Sequence, residues 1–595
     1  MSVVCVSIEP AGGDGWTATW SADGRPAGAP VVLDADAVRE LAGLARRFDR
    51  PADPIAAGGR HARPVLLAPH VDGIGATLHK RVVGPEAAAA LRTARELHVR
   101  TRLPDALNLP WELLPAGPTD KPIGTDADRA LYRLAVAPPA ADADAPPPGP
   151  LRVLFLAAAP TDQPQLNYEQ EEELILKAVG GLVGVVVWVA EMGSVEELAR
   201  RVQAFRPHVV HLSGHGGMGA GGAAHFSFER EDGTTDPVGA DALVRRAFDG
   251  VPVRCVFLNA CETAQAAVSG LCQGLVAAGV PLALGWAAAV ADDRATAFAQ
   301  EFYTHLGAGA SAARAVAFAR RRIREDGADQ RDGVAVQDVT FALPQLYAAR
   351  PGAALYDPTR TDVYTGPRTR YSRLPDGVVG LTEGFVGRRR EQQQLLPALR
   401  SGDVTVLVLL GHGGQGKSTL ATRLANRLQE PDHGGGHFEL VSVRFVPEDD
   451  ETPAKMVERK VSYLVQELRT TFERLGHARV VELMSDPKAS AAGRLIHAVD
   501  GLAACRVLLV LDNLEDVIDL STRTLIDPAL AAFYARLMSN LTAGSRVIVT
   551  TRVVPAGTPA ANPQVRVVKG LADFTRHDFL KFLRWDARVD ERIKS

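Results

Sequence analysis

Hydrophobic and polar positions change rhythm several times along the chain. Over residues 1–90, short alternating pieces ("VVCVSI", "WTATWS", "PVVLDA") lie between Gly/Pro/Asp turns, with one helical stretch at "DAVRELAGLARRF". A period of two predicts half-buried strands, so this is a small β-rich N-terminal region of unassigned role. From residue 91 a helical run, "AAAALRTARELH", leads into strand-like "VRTRLP" and then "NLPWELLP". Residues 137–150, "APPAADADAPPPGP", predict an exposed connector.

The rhythm then becomes a β/α alternation. "LRVLFLAAA", "VGVVVWVAE", "HVVHLSG", "VRCVFLNA" and "PLALGWA" are apolar runs of strand length. Amphipathic stretches lie among them or follow: "YEQEEELILKAV", "SVEELARRVQAF", "TAQAAVSGLCQGLVAAG", "DRATAFAQEFYTHLGAG" and "SAARAVAFARRRIRE". Apolar strands separated by amphipathic helices predict a mainly parallel sheet covered on both faces. Residues 351–380, rich in Pro, Gly, Arg and Tyr, predict a linker. A second alternating block opens at "FVGRRREQQQLLPALR" and runs to the end. The expected domains are 1–90, 91–350, a linker at 351–380, and 381–595.

Composition narrows the function classes. The 595 residues are 46% hydrophobic and 23% charged, with net charge −4. That balance gives no basic field for nucleic acid. No uninterrupted apolar run is long enough to span a membrane, and no basic-then-apolar leader opens the chain. Five scattered cysteines form neither a disulfide framework nor a CxxC pair, which predicts a reduced, cytoplasmic setting. Cys5, Cys255, Cys272 and Cys505 read as small core hydrophobes, and His211, inside a strand, as structural.

Chemistry gathers beyond the carboxyl ends of parallel strands. "HVVHLSGHGG" ends with His215 among glycines, and "VRCVFLNACET" ends with Cys261 just before a helix. If both strands share one sheet, the two side chains meet at one edge. A helix N-terminus and a nearby imidazolium stabilise a thiolate, and such a pair performs acyl transfer. Backbone N–H groups of Gly216 and Cys261 are the natural oxyanion donors. The histidine precedes the cysteine by 46 positions, close to the spacing in caspases. Asp292 and Asp293 are candidates for a specificity pocket, with helix capping as the simpler role.

These pieces resemble the CHAT family, caspase-like domains related to separases. The matching stretches are "LPWELLP" (109–115), "PLRVLFLAAAP" (150–160), "HLSGHGG" (211–217), "VFLNACET" (256–263) and "EFYTHLGAGASAARAVAFARRRI" (301–323). The resemblance implies a caspase-like fold over 91–350, a His215–Cys261 dyad and a protein substrate.

"VTVLVLLGHGGQGKSTLATRLANRL" carries GxxxxGK[ST] from Gly411 to Ser418, between an apolar strand and an amphipathic helix. Gly411, Gly413, Gly414 and Gly416 free the backbone to wrap phosphates, Lys417 reaches the terminal phosphates, and Ser418 and Thr419 open the helix. "RVLLVLDNLED" ends in Asp512, suited with Ser418 to hold Mg²⁺, and "GSRVIVTTR" ends in Arg552, suited to the γ-phosphate. With "FVGRRRE" these resemble the STAND signalling NTPases of NB-ARC type. That resemblance implies ATP/ADP binding, Val386 and Arg388 near the adenine, Arg552 as sensor and assembly into a homo-oligomer. Asn513 stands where a second acid is frequent, which favours a slow switch over fast hydrolysis. In that family a helical subdomain and a sensor follow; here "ADFTRHDFLKFLRW" is expected as the first such helix, so the chain reads as incomplete or lacking a sensor.

The expected whole is an ATP/ADP-regulated cysteine endopeptidase acting on a protein target, in bacterial defence or programmed cell death. A reading from another class makes it an ATP-driven scaffold whose CHAT-like part is a non-catalytic interaction module; intact His215 and Cys261 argue against it.

Overall fold

The computed structural model describes residues 2–46, 65–117, 120–134, 145–163, 184–219, 222–260, 265–288, 292–331, 334–361, 370–383, 385–429, 437–541, 544–559 and 561–571, with isolated positions 172, 173, 175, 176, 179, 182, 290 and 578. Two compact units divide the chain, Met1–Tyr364 and Thr365–Ser595.

The first unit is built on a sheet of fourteen strands among the described residues. Its main strands are β1 (Val3–Pro10), β2 (Trp16–Ala22), β3 (Glu96–Thr101), β4 (Ala130–Leu134), β5 (Leu151–Ala157), β6 (Val185–Val189), β7 (Val209–Met218), β8 (Ala224–Glu229), β9 (Cys255–Ala260), β10 (Leu282–Trp286) and β11 (Pro344–Ala348). The order across the sheet is β6-β5-β7-β9-β10-β11-β4-β3-β1-β2. From β6 to β10 all neighbours are parallel. β10 and β11 run antiparallel, and β11, β4, β3 and β1 are again parallel. Two parallel blocks of opposite direction therefore meet at one antiparallel seam. The mixed α/β, mainly parallel architecture expected from the alternation is present.

The strand sequences explain this layout. β4, β5, β10 and β11 are buried at every position, as strands covered on both faces must be. β1 instead alternates, burying Val4, Val6 and Ile8. Those three side chains join one apolar core with Val99, Phe155, Phe257, Trp286, Phe302 and Leu346. The boundary expected at residue 90 thus coincides with no break in sheet or core, because β1 pairs in register with β3 (Val4 beside Leu97, Val6 beside Val99).

Three local differences have simple causes. The expected helix over "AAAALRTARELH" (87–98) stops at Thr93, and β3 starts at Glu96, because Leu97, Val99 and Thr101 alternate inward. A second N-terminal helix, α1 (Ala68–Val82), was not foreseen; it buries Val71, Ile74, Leu78 and Val82 at helical spacing. The stretch 351–380 is partly structured: Asp357–Thr361 pairs with Pro148–Gly149, and β12 (Arg370–Arg373) pairs with β13 (Val379–Glu383). The helices that frame the site are α2 (Gln265–Ala277), α3 (Asp292–Gly307) and α4 (Ala312–Asp326). The expected helix at 168–179 falls mostly outside the described residues.

The second unit holds a five-stranded sheet of β14 (Val406–Leu410), β15 (Glu439–Arg444), β16 (Val507–Asp512), β17 (Arg546–Thr551) and β18 (Val565–Lys569), ordered β15-β16-β17-β14-β18. Every pairing in it is parallel. Helices α5 (Arg389–Ser401) and α6 (Lys417–Leu428) flank its first strand. The stretch expected as a further helix at 572–585 lies outside the described residues, Asp578 apart.

Candidate functional site

His215 lies near the carboxyl end of β7, where that strand changes partner. Up to Gly214 it runs parallel to β9, with Gly214 beside Ala260; from His215 on it pairs antiparallel with β8, with His215 opposite Ser227. This is the carboxyl end of the parallel strands, the edge where such sheets place ligands. His215 is only 4% exposed. Gly214 makes the approach possible: a methyl there would sit 2.7 Å from the Phe226 ring and 3.0 Å from the Ala158 carbonyl. β9 ends at Ala260, the residue before Cys261, and Cys261 itself lies outside the described residues. Gly216 is on the β7–β8 hairpin, opposite Phe226.

The surrounding histidines and cysteines take structural places. His211 is fully buried, its Nδ1 3.1 Å from the Tyr303 hydroxyl and its ring stacked on Phe257. Burial holds its pKa down at about 3, so it stays neutral. Cys255 and Cys272 are buried, and desolvation pushes the Cys255 thiol up to about 12 and Cys272 higher still. Burial likewise lifts Cys505 to about 11. Half-buried Cys5 is raised by desolvation, against Arg100 and a hydrogen bond to Ser7. Cys255, Cys272 and Cys505 thus fit their core reading, whereas Cys5 is only half-buried. Asp292 and Asp293 open α3, where acids favour the helix N-terminus, and Asp293 is exposed.

"LPWELLP" builds a buried ion cluster. Glu112 takes a forked pair of hydrogen bonds from Arg133 at 2.5 and 2.9 Å and one from Arg320 of α4 at 3.0 Å. All three side chains are buried. Burial lowers the Arg320 pKa to about 10, with Glu112 opposing and Arg133 adding to the effect. The motif thus ties the loop at Trp111 to β4 of the same sheet and to α4.

In the second unit β14 leads into the glycine loop and then α6. Gly416 caps α6 in the left-handed region at φ 79°, and Gly414 has φ 82°; a side chain at either would strain the turn. Lys417 donates to the carbonyls of Gly411 and His412 at 2.9 and 3.1 Å. The Gln415 side chain accepts from the His412 N–H at 2.7 Å, so the loop closes on its own groups. Desolvation lowers the Lys417 pKa, with Arg552 assisting and Glu515 and Asp512 opposing. Thr419 follows in the first turn of α6.

The other expected residues converge on this loop. Ser418 Oγ donates to Asp512 at 2.6 Å, and Thr550 donates to the same oxygen at 2.7 Å. Arg444 comes within 3.6 Å of the second Asp512 oxygen. Arg552, just past β17, sits over the loop: a methyl at Gly413 would be 3.0 Å from its guanidinium. Arg388 precedes α5 in the left-handed region and donates to the Gln415 carbonyl at 3.0 Å, while Val386 is buried beside it in the chain. The donor set suits a nucleotide with Mg²⁺: glycine backbone and Lys417 for phosphate, Ser418 and Asp512 for the metal, Arg552 for the outermost charge. What bound Mg²⁺ contributes is neutralisation of the phosphate oxygens.

Sequence reasoning missed Glu515. It accepts from Arg552 Nε at 2.9 Å and lies 3.9 Å from Lys417 Nζ, with a side chain only 7% exposed. Asn513, noted as the missing acid, has a structural role: at φ 62° it turns the chain, its side-chain amide donating to the Phe445 carbonyl and to Asp516 and its backbone N–H donating to the Thr550 hydroxyl. Asn tolerates that conformation better than most residues. An acid does stand two residues later, as Glu515, facing Arg552 and Lys417.

Comparison with known proteins finds a match in each half: the CHAT domain in the first, as expected, and an ATPase domain, of AAA description, in the second. The CHAT domain matches residues 72–367 and the AAA ATPase domain residues 384–549. No curated protein matches the chain. Solved structures that match include the separase–securin complex of Saccharomyces cerevisiae, at 11% identity and a TM-score of 0.32, covering 58% of this chain. The chain spans 30% of the length of that matched chain. No described helix is long and apolar enough to cross a membrane. The chain is thus similar to a CHAT domain in its first part and to an AAA ATPase domain in its second.

Proposed function

We propose that this protein is a cysteine endopeptidase of the CHAT type, switched by ATP and ADP and cleaving a protein target on assembly. The observation that carries the reading is the register at the carboxyl ends of β7 and β9: Gly214 stands beside Ala260, and His215 and Cys261 are the residues that follow them in the chain. In this reading the Cys261 thiolate adds to the scissile carbonyl and forms a C–S bond. His215 delivers its proton to the leaving amine as the C–N bond breaks, and water then hydrolyses the thioester. The N–H groups of Gly216 and Cys261 receive the charge that develops on oxygen.

The second unit serves as the switch, of STAND/NB-ARC type, with ADP holding a closed form and ATP permitting homo-oligomer formation. A role in defence or programmed cell death fits that order of effector and switch, and the cytoplasm is the proposed compartment. Cleavage of a peptide library read by mass spectrometry tests this, with wild type and Cys261→Ala each given ADP or a slowly hydrolysed ATP analogue. Cleavage by wild type alone, increased by the analogue, is expected. Equal silence of both proteins, including in forced oligomers, would favour a scaffold instead.

A further inference from the structure

We infer that Glu515 competes with the γ-phosphate of ATP for Lys417 and Arg552, and so sets the preference of the loop between ATP and ADP. The inference rests on the nucleotide reading of the second unit and names its regulator.

Three observations carry it. First, Asp512 already serves the metal side, held by Ser418 and Thr550, so Glu515 is not needed there. Second, the left-handed turn at Asn513 directs Glu515 away from Asp512 and between two cations, with a single oxygen meeting both Arg552 at 2.9 Å and Lys417 at 3.9 Å. Those are the two side chains whose positions suit the outermost phosphate. Third, the other Glu515 oxygen is buried and has no hydrogen-bond partner among the described residues. A carboxylate oxygen desolvated without a donor is costly. It is tolerated here because the cations hold the group, and it leaves Glu515 poised to give way.

Two anions cannot share this pair of cations without repulsion. ADP has no γ-phosphate and leaves the Glu515–Arg552 pair intact. A triphosphate draws the same cations, and Glu515 must release them. The carboxylate therefore acts as an internal stand-in for the γ-phosphate and biases the empty loop toward ADP. Among the described residues, Arg444 lies 3.6 Å from Asp512, and Arg388 donates to the Gln415 carbonyl of the loop.

Calorimetric binding to the full chain tests this, using Mg²⁺ with ADP or with a slowly hydrolysed ATP analogue. Glu515→Gln is expected to strengthen analogue binding about tenfold relative to ADP, the scale of losing one partly buried ionic competitor. Glu515→Asp, one methylene shorter, is expected to move the ratio the same way by less, and it decides the matter should the Gln variant not fold. An unchanged ratio in folded variants overturns the inference, as does weaker analogue binding, which would make Glu515 a helper of the triphosphate. Wild type that binds neither nucleotide, indistinguishable from Lys417→Ala, would remove the nucleotide reading itself and this inference with it.

Discussion

Ser418 Oγ donates to Asp512 Oδ1 across 2.6 Å, joining the first turn of α6 to the end of β16. The two groups expected to hold Mg²⁺ thus meet directly, and Thr550 donates to the same carboxylate oxygen. Asp512→Asn is expected to abolish the Mg²⁺-dependent part of nucleotide affinity while leaving the EDTA-resistant part. Titration of a fluorescent nucleotide with and without EDTA measures both; equal losses in the two conditions would point to a collapsed loop instead.

Peptide cleavage, once its conditions are found, is expected to fall by at least about a thousandfold in His215→Ala and in Cys261→Ala, with the double variant no worse than either, because the two groups act as one unit. Additive losses in the double variant would argue against a dyad.

Glu112→Gln keeps the volume of the side chain and removes the only carboxylate seen between Arg133 and Arg320 among the described residues. Breaking a buried pair by neutralising one partner costs about 3–5 kcal/mol. Five of the six tryptophans belong to the first unit, so tryptophan fluorescence during urea unfolding reads its transition. That transition is expected at clearly lower urea in the variant, with the other unit unaffected.

His208 and His211 predict how acid acts on the first unit. Burial, with Arg152 and Arg254 for His208, holds both pKa values at about 3, below the ordinary value near 6.5. The unfolded chain takes up these protons first. The stabilisation is therefore complete above about pH 6.5 and is lost as pH falls toward about 3, at up to about 1.4 kcal/mol per pH unit for each histidine. His211→Phe is expected to flatten that slope below pH 6, as measured by urea midpoints across a pH series.

Gly75 of α1 faces the Leu113 carbonyl so closely that a methyl would overlap it. Backbone cannot rotate away as a side chain can, so Gly75→Ala is expected to cost about 1–3 kcal/mol despite the better helix propensity of alanine. Thermal unfolding checks this, and a rise in Tm would show that α1 can slide.

Much of this was legible where the signal is local. The strands β5, β6, β7, β9 and β10 read as apolar runs because that signal is local, and the glycine loop read from eight consecutive residues; β8, with its mixed sequence AHFSFE, did not. Helix α1 was hidden by Pro69, Gly73 and Gly75, although Val71, Ile74, Leu78 and Val82 keep helical spacing. The single sheet across residue 90 was hidden because β1 finds β3 some ninety residues away, and no local pattern encodes that register. Glu515 was hidden for a similar reason: its partners arrive from α6 and from beyond β17, and its direction depends on the turn at Asn513.

The antiparallel seam has a consequence for how the protein is made. β11 lies between β10 and β4, yet it is the last of the main strands of the first unit to be synthesised. Until Pro344–Ala348 leaves the ribosome, the block containing β4 and the block containing β10 each present an unsatisfied, apolar edge of the kind that invites aggregation. Closure of the first unit must therefore wait for nearly its full length, and a nascent chain halted before residue 344 would depend on a chaperone to keep the two half-sheets apart.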